Sequence, residues 1–306
     1  LSIATPKTQS LIDTIGMGYR ALNRRLWMIA LPMTLSALLW FTPPIVLGDN
    51  FGGRELAAAV QSLGGTTADQ QALLARVLTS DLRIALAWFN VVPLLSPAPA
   101  EPDATAFALA GPGDFLLALV LINAVALLAS SLFLTGVAGA VRNDRLRPLD
   151  ELRQALRTAG VLVLVALIVI GVGIVLGLPF LALSTILIAV LPVAAVPILL
   201  LWYIAIFWAS IYAGFAPEAI VLSRSGPFQA LYNSVNLVRR NLAATLGLLL
   251  VTIVITSGLA IVWRELAATP AGLATALIGS AYVGSGLGAA RIEFYRERMA
   301  RWKRAA

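Results

Sequence analysis

Six long runs of this chain contain no Asp, Glu, Lys or Arg, and nothing else constrains its fold as tightly. They cover residues 26–48, 115–141, 160–180, 186–214, 242–262 and 271–290. Each has about 20 residues or more, enough at about 1.5 Å per residue to cross a hydrocarbon core of about 30 Å. In hydrocarbon every backbone N–H and C=O must be bonded within the segment. The alternation of barrel strands is absent, so each run predicts a helix. The expected fold is all-α, a polytopic integral membrane bundle of six transmembrane helices.

The charges between the runs predict an orientation. Lys7, Arg20, Arg24 and Arg25 precede the first run, and Arg142, Arg145, Arg147, Arg153 and Arg157 separate the second from the third. Arg224, Arg239 and Arg240 separate the fourth from the fifth, and Arg291, Arg296, Arg298, Arg301, Lys303 and Arg304 follow the sixth. With six crossings, these 18 of the 22 basic residues share one face. The positive-inside rule makes that face cytoplasmic, with both termini on it, in a bacterial inner membrane. Arg54, Arg76, Arg83 and Arg264 fall on the other face among Asp49, Glu55, Asp69, Asp81, Glu101, Asp103, Asp114 and Glu265. An odd number of crossings would scatter the arginines over both faces.

Composition narrows the chemistry. The chain has no cysteine and no histidine, which excludes disulfides, thiolate or imidazole zinc sites and His-ligated haem, and removes the commonest general base near neutral pH. A pI of about 10.4 would suggest nucleic acid in a soluble protein. Here the basic residues flank apolar runs, where they set orientation and meet anionic lipid headgroups, so no nucleic-acid partner is expected. The first run begins too far from the N-terminus and is too long for a cleaved signal sequence, and it reads as a retained helix. No nucleophile–base pair, metal cluster or convergent carboxylate pair can be assembled. The expectation is no enzyme and no cofactor.

Three basic segments lead into odd-numbered spans as amphipathic interfacial helices, over 10–25, 148–157 and 227–241. Short likenesses among them fit either a threefold repeat of interfacial helix and span pair, or three independent helices of the kind any bilayer surface selects. Pro192 and Pro197 predict a kink in the fourth span, and Gly177-Leu178-Pro179 a break after the third. The tail, 291–306, reads as basic and cytoplasmic. The outer-face insertion, 49–113, predicts helices over 54–63 and 67–95 and a loop from 97. Ile84, Trp88, Phe89 and Val92 within it are too apolar to face water, and predict contact with the bilayer or another subunit.

Candidate sites follow from what is polar, small or cationic near the spans. Asn123 is the most polar side chain at depth and reads as glue between helices. Gly173 with Gly177, and Gly284 with Gly288, have the i, i+4 spacing that permits close helix packing. Arg24, Arg25, Arg239 and Arg240 lie at the headgroup level and predict anionic-lipid contact. Glu218, the only acidic residue of its loop, is expected to pair with Arg224 or Arg239.

The stretch Ala216-Pro217-Glu218-Ala219-Ile220-Val221, with Gly226-Pro227-Phe228-Gln229-Ala230-Leu231-Tyr232-Asn233-Ser234 and Arg239-Arg240-Asn241-Leu242, resembles uncharacterised bacterial six-helix proteins related to the membrane domain of glycerophosphodiester phosphodiesterases. Gly18-Tyr19-Arg20 to Leu31-Pro32 looks like their first span. The resemblance implies architecture only, because the hydrolase barrel and its catalytic carboxylates and histidines are absent. The functional expectation is an accessory or scaffold subunit that packs against lipids and a membrane-protein partner or a second copy of itself. The alternative is a transport protein or permease component for a neutral or lipid-like solute.

Overall fold

The structure, a computed structural model, describes residues 10–47, 80–97, 106–144 and 147–305. The helices are α1 Leu11–Asn23, α2 Ala30–Phe41, α3 Leu82–Ala85, α4 Pro112–Arg142, α5 Pro148–Val190, α6 Ala195–Ala213, α7 Ala216–Ser223, α8 Pro227–Arg240, α9 Leu242–Leu266 and α10 Pro270–Ala305. Two short strands, β1 Ile45–Leu47 and β2 Phe107–Leu109, pair in parallel with Ile45 opposite Phe107. Among the described residues five helical segments are long and apolar enough to cross a membrane: Pro112–Arg142, Pro148–Val190, Ala195–Ser223, Leu242–Leu266 and Pro270–Trp302. Leu26–Phe41 is apolar but shorter.

The prolines decide where helices stop, and they move several predicted boundaries. The first run, read as one helix over 26–48, is a 3-10 turn over Leu26–Ile29, then α2, then β1. Pro43 pushes Thr42 to an extended conformation (φ −104°, ψ 149°), and the chain leaves the helix there. Pro179, by contrast, does not end the third run. A proline inside a span removes one hydrogen bond that neighbouring groups can replace, and α5 continues for 43 residues from the predicted interfacial segment at 148 to Val190. The break comes at Leu191, which precedes Pro192 and leaves the helical region (φ −134°, ψ 82°). Pro197 then falls in the first turn of α6, where a missing N–H is harmless. These two prolines build a turn between helices and do not kink one.

Of the three segments read as interfacial helices, 10–25 and 227–241 stand as separate helices, α1 and α8, while 148–157 is continuous with the span in α5. α1 opens on a capping box: Ser10 Oγ accepts from the Asp13 N–H at 3.1 Å, and Asp13 accepts from the Ser10 N–H at 3.2 Å. α8 begins at Pro227 and ends at Arg240, separated from α9 by Asn241.

The chain divides into two compact units. One contains α1, Leu134–Ile253 and the chain from Gly286 onward. Phe294, Tyr295, Ile292, Phe215, Leu22, Leu134, Leu162, Leu237 and Leu248 are buried in it. The predicted basic tail is thus the second half of α10, with an apolar face that forms core. Close approach within this unit requires small residues. A Cβ at Gly18 would stand 2.6 Å from Ala290 Cα, and one at Gly286 2.5 Å from the Tyr19 ring. The other unit is Leu26–Phe133 with Val254–Ser285. Leu82, Leu86 and Leu109 pack there with Ile45, Leu47 and Phe115, and Leu95 packs with Ala276, Leu277, Met33 and Trp40.

Candidate functional site

The second unit contains an irregular segment that runs beside a membrane-span helix. The helix expected over 67–95 is, among the described residues, only α3, and from Leu86 to Pro97 the backbone is non-helical. Its polar groups are met by side chains of apolar helices. Asn123 accepts from the Trp88 N–H at 3.1 Å and donates to the Leu86 and Leu119 carbonyls at 2.6 and 2.9 Å. Ser130 accepts from the Val91 N–H and donates to the Phe89 carbonyl, both at 3.0 Å. Ser36 accepts from the Leu95 N–H at 3.0 Å, and the Trp40 indole donates to the Leu95 carbonyl at 3.2 Å. From Asn123 to Ser130 is two turns of α4, about 10 Å, and these two side chains hold the segment at Trp88 and again at Phe89 and Val91. Irregular backbone beside a span is tolerated only where protein or a water-lined cavity satisfies it, and here side chains do so.

The segment is anchored where it enters. Asp81 caps α3, and Arg83 lies bidentate on it, at 2.8 and 2.5 Å from Oδ2. The same guanidinium donates to the Leu39 and Thr42 carbonyls at 3.0 and 3.1 Å. Those carbonyls are at the C-terminal end of α2, where four are left unbonded and a cation is favoured by the helix dipole. Beyond it, Pro93, Leu94, Leu95 and Ser96 form one wall of a cavity of about 340 Å³, closed by Trp40 and Trp263 and by Gly284 of α10. A Cβ at Gly284 would stand 2.8 Å from Pro93 Cγ, so the segment rests directly on that glycine.

Arginines perform the same capping in the first unit. Arg291 donates to the Gly214 carbonyl at the end of α6 at 2.7 Å, and Arg296 to the Val141 carbonyl at the end of α4 at 2.8 Å. Arg142 reaches the Val221 carbonyl in the last turn of α7 at 2.8 Å. Acidic side chains balance them. Arg291 pairs with Glu218 at 2.9 Å, Arg142 with Asp144 at 2.7 Å and Arg25 with Glu151 at 2.8 Å. Glu218, whose side chain is 2% exposed, therefore pairs with neither Arg224 nor Arg239, the partners expected from the sequence.

The structure separates the predicted site residues. Val92 is buried inside its own unit, Phe89 is half-buried, and Ile84 and Trp88 remain exposed. Arg24, Arg239 and Arg240 are exposed, whereas Arg25 is also held by the Asp144 carbonyl. Gly284 makes the close contact described above and Gly288 is half-buried. A Cβ at Gly177 would meet the Trp202 ring at 3.6 Å, an ordinary van der Waals distance, and one at Gly173 would meet nothing within 4 Å. The sequence reading contains neither the capping arginines nor the role of Ser36 and Ser130. Among the described residues no group of three or more acidic side chains gathers as a metal site.

Fold and site together define a multi-pass α-helical membrane protein. No family profile, curated protein or solved structure matches the chain.

Proposed function

We propose that the protein is a non-catalytic accessory or scaffold subunit, seated against a second membrane-embedded polypeptide along the α5–α6 hairpin. In this reading it has six crossings in a bacterial inner membrane, both termini are cytoplasmic, and Leu26–Phe41 with β1 makes the first crossing. The charge pattern supports the orientation. The observation that carries the reading is the surplus of uncovered apolar surface on the hairpin. Residues 160–190 of α5 contain no ionisable group, a length of about 46 Å against about 30 Å of hydrocarbon. Tilt alone would have to reach about 50°, beyond the range of about 0–40° that spans adopt.

The apolar surface continues through the turn, where Leu191, Val193 and Val196 are exposed although turns at water are normally polar. The most apolar windows of Pro148–Val190 and Ala195–Ser223 are 11% and 6% buried, against 11% for Leu242–Leu266, 22% for Pro112–Arg142 and 44% for Pro270–Trp302. Gly173 adds a place on α5 where a foreign helix can approach closely. Purification of the native protein in mild detergent tests the reading. The expected result is a stoichiometric second polypeptide, released by Gly173→Phe with no loss of melting temperature. A lone monomer, or retention of the polypeptide by the variant, counts against it.

Transport of a neutral or lipid-like solute is the second reading, favoured by the irregular backbone and the cavity of about 340 Å³ beside it. Flux of a small neutral solute into proteoliposomes, abolished by Asn123→Leu, would raise it above the first. Liposomes as tight as protein-free ones would dismiss it.

A further inference from the structure

α8 presents two adjacent faces that together describe a ligand. Phe228, Tyr232, Val235 and Arg239 recur at i, i+4, i+7 and i+11 on one stripe, and all four are exposed. Apolar and aromatic side chains ending in a cation are the composition of a helix face that lies in a bilayer surface. About a third of a turn around the helix come Gln229, Asn233 and Arg240. Gln229 and Asn233 line a cavity of about 320 Å³, bounded across from them by Met299 and Trp302 of α10. Tyr232 belongs to both faces, so the cavity borders the bilayer-facing stripe.

The lining of the cavity carries no formal charge: Tyr232, Met299 and Trp302 leave most of its surface apolar, and Ser223, Ser225, Gln229 and Asn233 supply neutral polar groups. Asn233 and Ser225 are almost fully buried, and the Asn233 amide donates to Ser225 Oγ at 3.3 Å. Ser223 lies 3.2 Å from the hydroxyl of Tyr295 behind it. An amide has two donors and two acceptor lone pairs and a serine hydroxyl one donor and two, so this floor retains hydrogen-bonding capacity beyond its internal bonds. The aromatic wall is formed by Tyr232 and Trp302, with ring centroids 6.4 Å apart. The cation stands at the mouth: the Arg240 guanidinium lies 4.8 Å from the centre of the Trp302 ring. Neutral hydroxyls and amides on the floor, ring faces at the side and a guanidinium at the rim suit a polyol esterified to phosphate. The polyol exchanges hydrogen bonds with the floor, and the phosphate meets the arginine.

We propose that this cavity binds the polyol phosphate headgroup of an anionic phospholipid of the phosphatidylglycerol class, drawn from the adjacent bilayer. The inference does not depend on the partner proposed for the hairpin. Native mass spectrometry of the full chain in detergent, with equal amounts of phosphatidylglycerol and phosphatidylserine, tests it. The two lipids match in net charge but only the first presents a diol. The chain should retain phosphatidylglycerol about tenfold better, the worth of one to two net hydrogen bonds. Gln229→Leu and Arg240→Gln, both at exposed positions, should each reduce that retention several-fold, while Arg153→Gln, on another exposed surface, should leave it unchanged. Equal retention of the two lipids, or indifference to both cavity variants, would overturn the proposal. Displacement by millimolar free glycerol phosphate would overturn the lipid assignment and give the site to a soluble polyol phosphate.

Discussion

Replacing Asn123 by leucine keeps the branched shape of the side chain and removes three hydrogen bonds at once. The Trp88 N–H and the Leu86 carbonyl lose their bonds to α4 and keep only the one between themselves, while the Leu119 carbonyl keeps its place in α4. A net hydrogen bond is worth about 1 kcal/mol, so the two lost from the segment to α4 disfavour its seated state by about 2 kcal/mol. A difference of about 2 kcal/mol changes an equilibrium constant by about thirtyfold. The absence of native cysteine makes the assay clean. A single cysteine at Val92, which is 4% exposed, is treated with a membrane-impermeant maleimide. Labelling through transient opening should be slow in the parent and about thirtyfold faster with Asn123→Leu. Equal rates in the two backgrounds would refute the idea that Asn123 holds this backbone in place.

Three further outcomes follow from the same contacts. Gly284→Ala should destabilise by about 1–3 kcal/mol through overpacking on Pro93, whereas Gly173→Ala, facing open space, should be neutral or stabilise by up to about 1 kcal/mol through helix propensity; thermal melts in detergent separate them. Glu218→Leu takes the ion partner from the half-buried Arg291 guanidinium, which keeps the Gly214 carbonyl, and should cost about 2–3 kcal/mol, with much of the loss restored in a Glu218→Leu, Arg291→Met double variant. The Ser10 hydroxyl, and then its N–H, hold the Asp13 carboxyl below its ordinary value. Its stabilisation of α1 is present above the unfolded pKa of about 3.9 and disappears as pH falls through the lower folded value. Ser10→Ala should move the carboxyl titration, followed by NMR, upward.

Membrane class and helical content could be read from the sequence because uninterrupted apolar runs leave a chain no other way to satisfy its backbone in lipid. α1 and α8 were legible through Ser10 with Asp13 and through Gly226-Pro227, which are local signals. The prolines were ambiguous because their effect depends on what surrounds them. Pro179 is absorbed within α5, while Pro192 makes a turn by acting on Leu191. The end of α10 was hidden by its arginines, although Ile292, Tyr295 and Met299 already showed a helical spacing. The segment 86–97 was least legible, since its partners Ser36, Asn123 and Ser130 lie in distant parts of the chain. Each is one of a few polar residues in an apolar helix, and nothing local shows what it bonds. The arginines carried two messages, and the charge count alone could not tell orientation from helix capping.

The central claim is that the uncovered α5–α6 hairpin is an interface with another polypeptide. A photo-crosslinking amino acid at Leu183 or Val190, both exposed, activated in intact cells, tests it most directly. The account predicts one discrete higher-mass protein adduct at both positions and none from Leu162, which is buried within its own unit. Adducts to lipid alone at Leu183 and Val190 would contradict it.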